Sequence, residues 1–420
     1  MAAATYTPLT ISQINTIWRV VQAPLQVAAN FMVPEWDSLD EVPDLNVDWS
    51  GRQILVPLDL QDDFGVASIP EGGFEARPSS PKPSEATVSW ILLNARITIS
   101  KTSRYIDSRN RQAMLENQLK YQGRKKLQAI ARRVAEYMYG FSTAVMAKVV
   151  SDAAGVLTLK DQYGVAGLGS TNSPFRVTSP FKVGDAVAVL NPSGPALRVG
   201  GIQAITAVTP ATPSITLAAD PTAVAANDLI VFANSLENTT LAAGTDYNAG
   251  FVGFLDAATS TTIHNVSGAT EAKWNAGSDT TGGRLTGVRL IKAQQAIEDN
   301  GGGELRRVRY DRGVERDFIA YLQAAVRFSN PYAMVVDGRP KMEGVTFEST
   351  RFVPDGYALC YDDQKALKKM TLLPKPDQPA WDDAKEMIDQ SGFILTLDYP
   401  CALTWMNRAA VYYFSSLTQQ

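Results

Sequence analysis

The stretch GVTFESTRFVPDGYALCYDDQKALKKM, residues 344–370, decides how this chain is read. A strand-like run from Val345 to Phe352 meets Pro354-Asp355-Gly356 and continues as a second strand-like run from Tyr357 to Tyr361. Proline presets φ for a turn and glycine supplies a positive φ, so the pattern predicts two strands joined by a tight connection. Nothing in it has the spacing of a catalytic or metal-binding motif, and it reads as building material.

Downstream, the sequence predicts a helix near Trp381 to Gln390, a strand at GFILTLDY and a closing segment CALTWMNRAAVYYFSSL. Upstream lies a helical pattern from about Leu285 to Asp299, stopped by glycines. A strand at Leu305 to Tyr310, a helix at Glu315 to Phe328 and a strand at Tyr332 to Val336 follow, an α/β module.

Residues 141–260 carry thirteen charges in 120 positions and short strand-like runs such as AGVLTLK, DAVAVLN and SITLAA. Regular short strands between turn signals predict a small β-barrel or sandwich. Before it, Ser103 to about Tyr139 places Ile106, Met114, Leu119, Leu127, Ile130, Val134 and Met138 on an interrupted apolar stripe among many bases. Some 35 residues of helix would make a rod of roughly 50 Å. Earlier still, RQILVPLDLQ and TVSWILLNARITIS flank a twenty-five-residue tip rich in Gly, Pro and Ser, the pattern of a long hairpin. Structureless tips beyond ~12 to 15 residues tend to have a task, and a two-stranded ribbon is marginal alone. A neighbouring subunit is therefore expected to receive it.

Charge is uneven. The chain is 39 bases against 43 acids, a net of -4, so no global basic field points to nucleic acid. Residues 1–50 hold one base, Arg19, against six acids, a balance of -5, whereas residues 101–140 hold ten bases and three acids, a balance of +7. The acidic segment is read as an arm, of its own or a neighbouring subunit, lying along part of the basic helix, with Glu35, Asp37, Asp40 and Glu41 facing bases drawn from Arg104 to Lys126.

Candidates for chemistry are few. His264 is the single histidine and has no signature nucleophile beside it. The pairs Asp62-Asp63, Asp362-Asp363 and Asp382-Asp383 lack calcium-loop spacing and read as turn acids. Cys360 and Cys401 stand far apart and read as small buried hydrophobes. The glycine-rich stretches DNGGGEL and EGGFEARP lack the partners of a phosphate loop. No catalytic residue, cofactor or metal is expected. The opening residues lack a signal-peptide pattern and no apolar run is long enough for a membrane span, so a cytoplasmic, unanchored protein is expected.

The order of these parts (acidic arm, long hairpin, very long helix, α/β module, returning strands) resembles the major capsid proteins of tailed bacteriophages, with the Hong Kong phage-type capsid fold. The resemblance implies an α+β chain divided as an N-terminal arm (1–50), an extended hairpin loop (51–100) and a spine helix of the peripheral domain (101–150). An inserted barrel-like β-domain (151–235), an axial domain (236–345) and a return segment with a C-terminal β-element (346–420) complete it. It implies an icosahedral head shell of hexamers and pentamers enclosing double-stranded DNA, assembled in the bacterial host cytoplasm, with no membrane.

A separate scaffolding protein, a portal, a cement protein and weak non-specific contact with packaged DNA are the partners it implies. Assembly contacts are assigned to Asp62, Asp63, Glu71, Arg77 and Lys82 on the hairpin, Glu35, Asp37, Asp40 and Glu41 on the arm, Arg109, Arg111, Arg124 and Lys125 on the spine, and Arg306 and Arg307. A cross-link between Lys82 and Asn407 is conceivable by the same resemblance, but both read as surface or packing residues. An encapsulin-like compartment with protein cargo is the alternative, and a carbohydrate-binding β-protein ranks behind both.

Overall fold

The computed structural model describes residues 36, 38–42, 48–50, 53–58, 84–100, 111–140, 144–165, 174–192, 197–233, 251–326, 335–336, 339–340, 342, 344–371, 380–381, 385–386 and 392–419. In chain order the first elements are β1 (Asp48–Ser50), β2 (Gln53–Leu58), β3 (Ser84–Ser89), β4 (Ile91–Ser100) and the 29-residue helix α1 (Arg111–Tyr139). Next come β5 (Ala147–Ala153), β6 (Val156–Lys160), the helical turn α2 (Pro174–Thr178), β7 (Ala186–Leu190), β8 (Leu197–Thr209), β9 (Ser214–Leu217) and β10 (Leu229–Phe232). Then follow α3 (Phe254–Thr259), β11 (Thr262–Ile263), β12 (Val266–Ser267), β13 (Gly277–Asp279), α4 (Gly287–Gly301), β14 (Arg307–Tyr310) and α5 (Arg312–Val326). The chain closes with β15 (Val335–Val336), β16 (Arg339–Pro340), β17 (Thr346–Ser349), β18 (Ala358–Tyr361), β19 (Leu367–Thr371), β20 (Ala380–Trp381), β21 (Lys385–Glu386), β22 (Gly392–Trp405) and β23 (Val411–Phe414).

These elements form two compact units: one of residues 1–41, 90–136 and 369–402, the other of residues 42–89, 137–368 and 403–420.

In the first unit the 14-residue β22 is the organising strand. It pairs antiparallel with β4 over the full length of β4, from Gly392 opposite Ser100 to Cys401 opposite Ile91. On its other side stand β20 and β21, and β19 also pairs with β22. Where the sequence predicts a helix near Trp381 to Gln390, the described residues Ala380–Trp381 and Lys385–Glu386 form two short strands, with Lys385 opposite Ile394 and Ala380 opposite Asp398. The open edge of a long strand offers backbone pairing that a local helical pattern cannot outweigh. The end of the acidic segment docks here too: Trp36 donates from Nε1 to the Tyr399 hydroxyl at 2.9 Å, and Glu41 bridges to Lys369.

In the second unit, β14 is flanked on both sides by the strands of residues 344–361. β17 pairs with it in parallel and β18 antiparallel. The two runs are therefore not a hairpin, because β14 stands between them. The connection does turn as expected, with Gly356 at φ 76 and Tyr357 N–H donating to the Pro354 carbonyl at 3.1 Å. β23 and β13 extend the same sheet to five strands. Its aromatic core centres on Phe254, whose ring lies 5.5 Å from Tyr139, 4.9 Å from Tyr361 and 5.3 Å from Trp405. Each such pair adds about 0.5 to 1.5 kcal/mol beyond its buried area. Gly253 leads into this cluster because a Cβ there would stand 2.2 Å from the Gly140 carbonyl oxygen.

The Ala/Thr/Val-rich segment closes into a barrel of six strands, β10-β5-β6-β9-β8-β7, running from Ala147 to Phe232 and so starting earlier than residue 151. Its interior is apolar: Val149, Leu157, Leu159, Val187, Val189, Ile205, Ile215 and Ile230 are all buried. Arg198 crosses to the buried Asp228 with two hydrogen bonds of 2.8 and 2.7 Å, the paired geometry that makes a buried carboxylate tolerable.

The ribbon of β2 and β3 pairs from Gln53 opposite Ser89 to Leu58 opposite Ser84. The hairpin reading is half right. The second run breaks at Trp90, so that β3 stays with β2 while β4 joins β22. Ile54, Val56, Ala86 and Val88 are buried, and Thr87 N–H donates to the His264 carbonyl at 2.9 Å, so the base of the ribbon belongs to its own chain's core. The tip, with Asp62, Asp63, Glu71, Arg77 and Lys82, lies outside the described residues.

Candidate assembly surfaces

On α1, Leu119, Leu127, Ile130, Val134 and Met138 are buried, as the apolar stripe predicts. At 100° per residue these converge on one side of the helix, and Tyr121, Arg124, Lys125 and Gln128 gather on the opposite side, all exposed. Tyr121 is 65% exposed, and Lys125 Nζ sits 5.7 Å from its ring centroid. One turn on, Arg132 and Arg133 are tied to the buried Glu136 of the same helix, at 2.8 and 3.0 Å. The basic surface of α1 is thereby concentrated at residues 120–126. Arg111 opens the helix, while Arg109, Glu35 and Asp37 lie outside the described residues. Of the nominated arm acids, Asp40 and Glu41 are described. Their backbone runs beside Lys369 of β19, whose N–H donates to the Asp40 carbonyl at 2.9 Å.

Arg306 and Arg307, assigned to subunit contacts from sequence, are engaged within the chain. Arg307 reaches Glu348 at 3.2 Å and Asp363 at 2.5 Å, and Arg306 lies 3.6 Å from Asp362 and 3.5 Å from Glu304. The parallel register of β14 and β17 causes this, because it sets Arg309 opposite Glu348 with Arg307 two residues away on the same face. Arg309 itself is buried, donating to the Tyr139 hydroxyl at 3.0 Å and lying 5.5 Å from the Tyr361 ring. Sequence reasoning missed Arg309. The available signal was its two-residue spacing from Arg307 in a short strand.

The residues considered for chemistry serve the core. His264 is buried, and its Nε2 accepts the Trp405 N–H at 3.3 Å. Burial, followed by the charge of Arg408, pushes its pKa down to about 3. Burial also raises both cysteine thiols far above their ordinary range. Asp362 accepts from the Gln364 and Glu304 N–H groups at 3.0 and 3.1 Å, as a turn acid does. Asn407 caps the turn Arg408–Ala410 through Ala409 N–H and donates to the Gly301 carbonyl at 2.8 Å, so its amide is already used. Among the described residues no group of three His, Cys, Asp or Glu could hold a metal ion, and no helix is long and apolar enough to cross a membrane.

No family model and no curated protein matches the chain. Solved structures do. The chain is similar to a protein of the cyanophage A-1(L) capsid at 12% identity and TM-score 0.47, over 92% of this chain and 93% of that one. Its matches include phage capsids and an encapsulin. The capsid of a native GTA particle aligns at 10% identity and TM-score 0.43, over 91% and 89% of the two chains. An encapsulin complex from Synechococcus elongatus aligns at 9% identity and TM-score 0.40, over 99% and 93%.

Proposed function

We propose that this chain is a major capsid protein of a tailed bacteriophage, building by self-assembly the icosahedral head shell that encloses double-stranded DNA. The observation that carries the reading is the order of its elements. A ribbon with a long tip precedes a 29-residue helix, and a five-stranded sheet follows that is completed by the C-terminal β23. That is the order on which the sequence resemblance rested. The polar residues support it: His264, Cys360, Cys401, Arg309 and Arg408 are all buried in the core.

The shell's hexamers and pentamers, a separate scaffolding protein, a portal, a cement protein and assembly in the host cytoplasm belong to the same proposal. So does the role of the Ala147–Phe232 barrel as a domain added to the basic capsid plan. Electron microscopy of the protein expressed with its neighbouring genes tests the reading. Closed shells of uniform size containing nuclease-protected DNA are expected. Shells filled with a protein cargo would favour the encapsulin-like alternative, and a chain that stays monomeric in that setting would overturn the proposal.

A further inference from the structure

The outward side of α1 between Tyr121 and Gln128 has a chemistry that the core does not require. Arg124, Lys125 and Lys126 are consecutive and exposed, and the helix sequence contains no acid between Glu116 and Glu136. Among the described residues neither Arg124 nor Lys126 makes an ion pair, whereas Arg132 and Arg133 are matched by Glu136. At 100° per residue Lys126 lies on the flank of the buried side, so the outward charge is that of Arg124 and Lys125, a local excess that attracts a polyanion. Tyr121 adds a second feature, since a ring 65% exposed in the middle of these bases contributes nothing to the core.

We propose that Tyr121, Arg124 and Lys125 form a binding strip for the phosphodiester backbone of nucleic acid. The cations would neutralise phosphates, and the tyrosine would offer its ring to a sugar or base and its hydroxyl to a phosphate oxygen. An acidic peptide would use the charges and leave the ring idle. The chain's own acidic segment is the nearest such peptide, and at Asp40 and Glu41 its backbone is already paired with β19. The strip has few cations, so it binds weakly and without sequence preference, which lets a polymer slide over it. The inference rests on the shell reading only for the presence of a nucleic acid.

The test is fluorescence anisotropy of a labelled DNA duplex with the purified full-length chain, across about 50 to 200 mM salt. Two phosphate contacts predict a log–log salt slope of about -1.8. The double variant Arg124→Gln, Lys125→Gln should flatten that slope to near zero, and the charge-preserving exchange Arg124→Lys, Lys125→Arg should retain it. Tyr121→Ala should weaken binding of a single strand about five- to tenfold and leave binding of polyglutamate unchanged. An unchanged slope in the double glutamine variant overturns the proposal. So does tighter binding of a peptide spanning residues 28–50 than of DNA. Shell formation, followed separately by microscopy, distinguishes the two claims: a glutamine variant that assembles without binding DNA supports both, and a wild-type chain that binds DNA through the strip without forming shells leaves only the strip.

Discussion

Arg176, in the helical turn α2, lies 2.9 Å from Asp355 in the turn that joins β17 to β18. The same guanidinium also meets Asp311, which caps α5 by accepting the Gly313 N–H at 3.0 Å. One cation thus serves two buried carboxylates. Burial raises the pKa of Asp311 even though Arg176 opposes the shift. Removing one partner of a buried ionic cluster typically costs about 3 to 5 kcal/mol, because the remaining charge is stranded. Arg176→Met should therefore lower the urea midpoint by that equivalent, and adding Asp311→Asn and Asp355→Asn should recover most of the loss. A single variant as stable as wild type would show that the cluster holds nothing.

His264 gives the acid response a defined sign. Its folded pKa of about 3 lies below the ordinary 6.5, so its contribution is complete above pH 6.5 and is lost as pH falls from 6.5 toward 3. The slope is about 1.4 kcal/mol per pH unit, or about 2 kcal/mol between pH 7 and pH 5. Asp311 acts oppositely, since a raised carboxylate pKa favours the folded state on acidification. His264 sits at φ 51, a conformation asparagine tolerates well, so His264→Asn should fold and lose this pH-dependent component. Urea titrations at the two pH values measure it, and an equal slope in the variant would refute the assignment.

The sequence was legible where local chemistry and tertiary structure agree. Thr286 caps α4 and Gly302, at φ 57, ends it, so the helix expected from Leu285 to Asp299 appears at Gly287–Gly301. Leu119, Leu127, Ile130, Val134 and Met138 told which side of α1 is buried. Partnerships across long separations were not legible. Nothing in TVSWILLNARITIS tells that Thr87 to Ser89 pair with β2 and Ile91 to Ser100 with a strand roughly three hundred residues later. The same limit hid the ion pairs of Arg306 and Arg307, whose partners are set by the register of β14 against β17 and by the following turn.

The barrel should fold when cut out. Its six strands close on themselves, the tilted rings of Phe181 and Phe232 lie 5.5 Å apart, and Arg198 satisfies Asp228 internally. A fragment of residues 145–233 lies in the size range where a single core suffices. It should give a β-type circular dichroism spectrum and unfold cooperatively. Arg198→Ala, which strands the buried Asp228, should cost the fragment about 3 to 5 kcal/mol. A random-coil spectrum for the parent fragment would show that the barrel depends on the rest of the chain.

The ribbon tip separates folding from assembly. Ser84 and Glu85 pair with Leu58 and Pro57, so a deletion meant to spare the fold must stop before them. Residues 62–82 can be replaced by a short Gly/Ser linker, which leaves β2, β3 and the Thr87–His264 hydrogen bond in place. Because Ile54, Val56, Ala86 and Val88 remain buried, the change in unfolding free energy should stay within about 1 kcal/mol, as for surface loop changes. Under the proposed function the task of the tip is to reach a neighbouring subunit. The shortened chain should therefore be soluble, folded by circular dichroism, and unable to form shells under conditions where the full chain forms them. Normal particles from the shortened chain would show that the tip is dispensable for assembly.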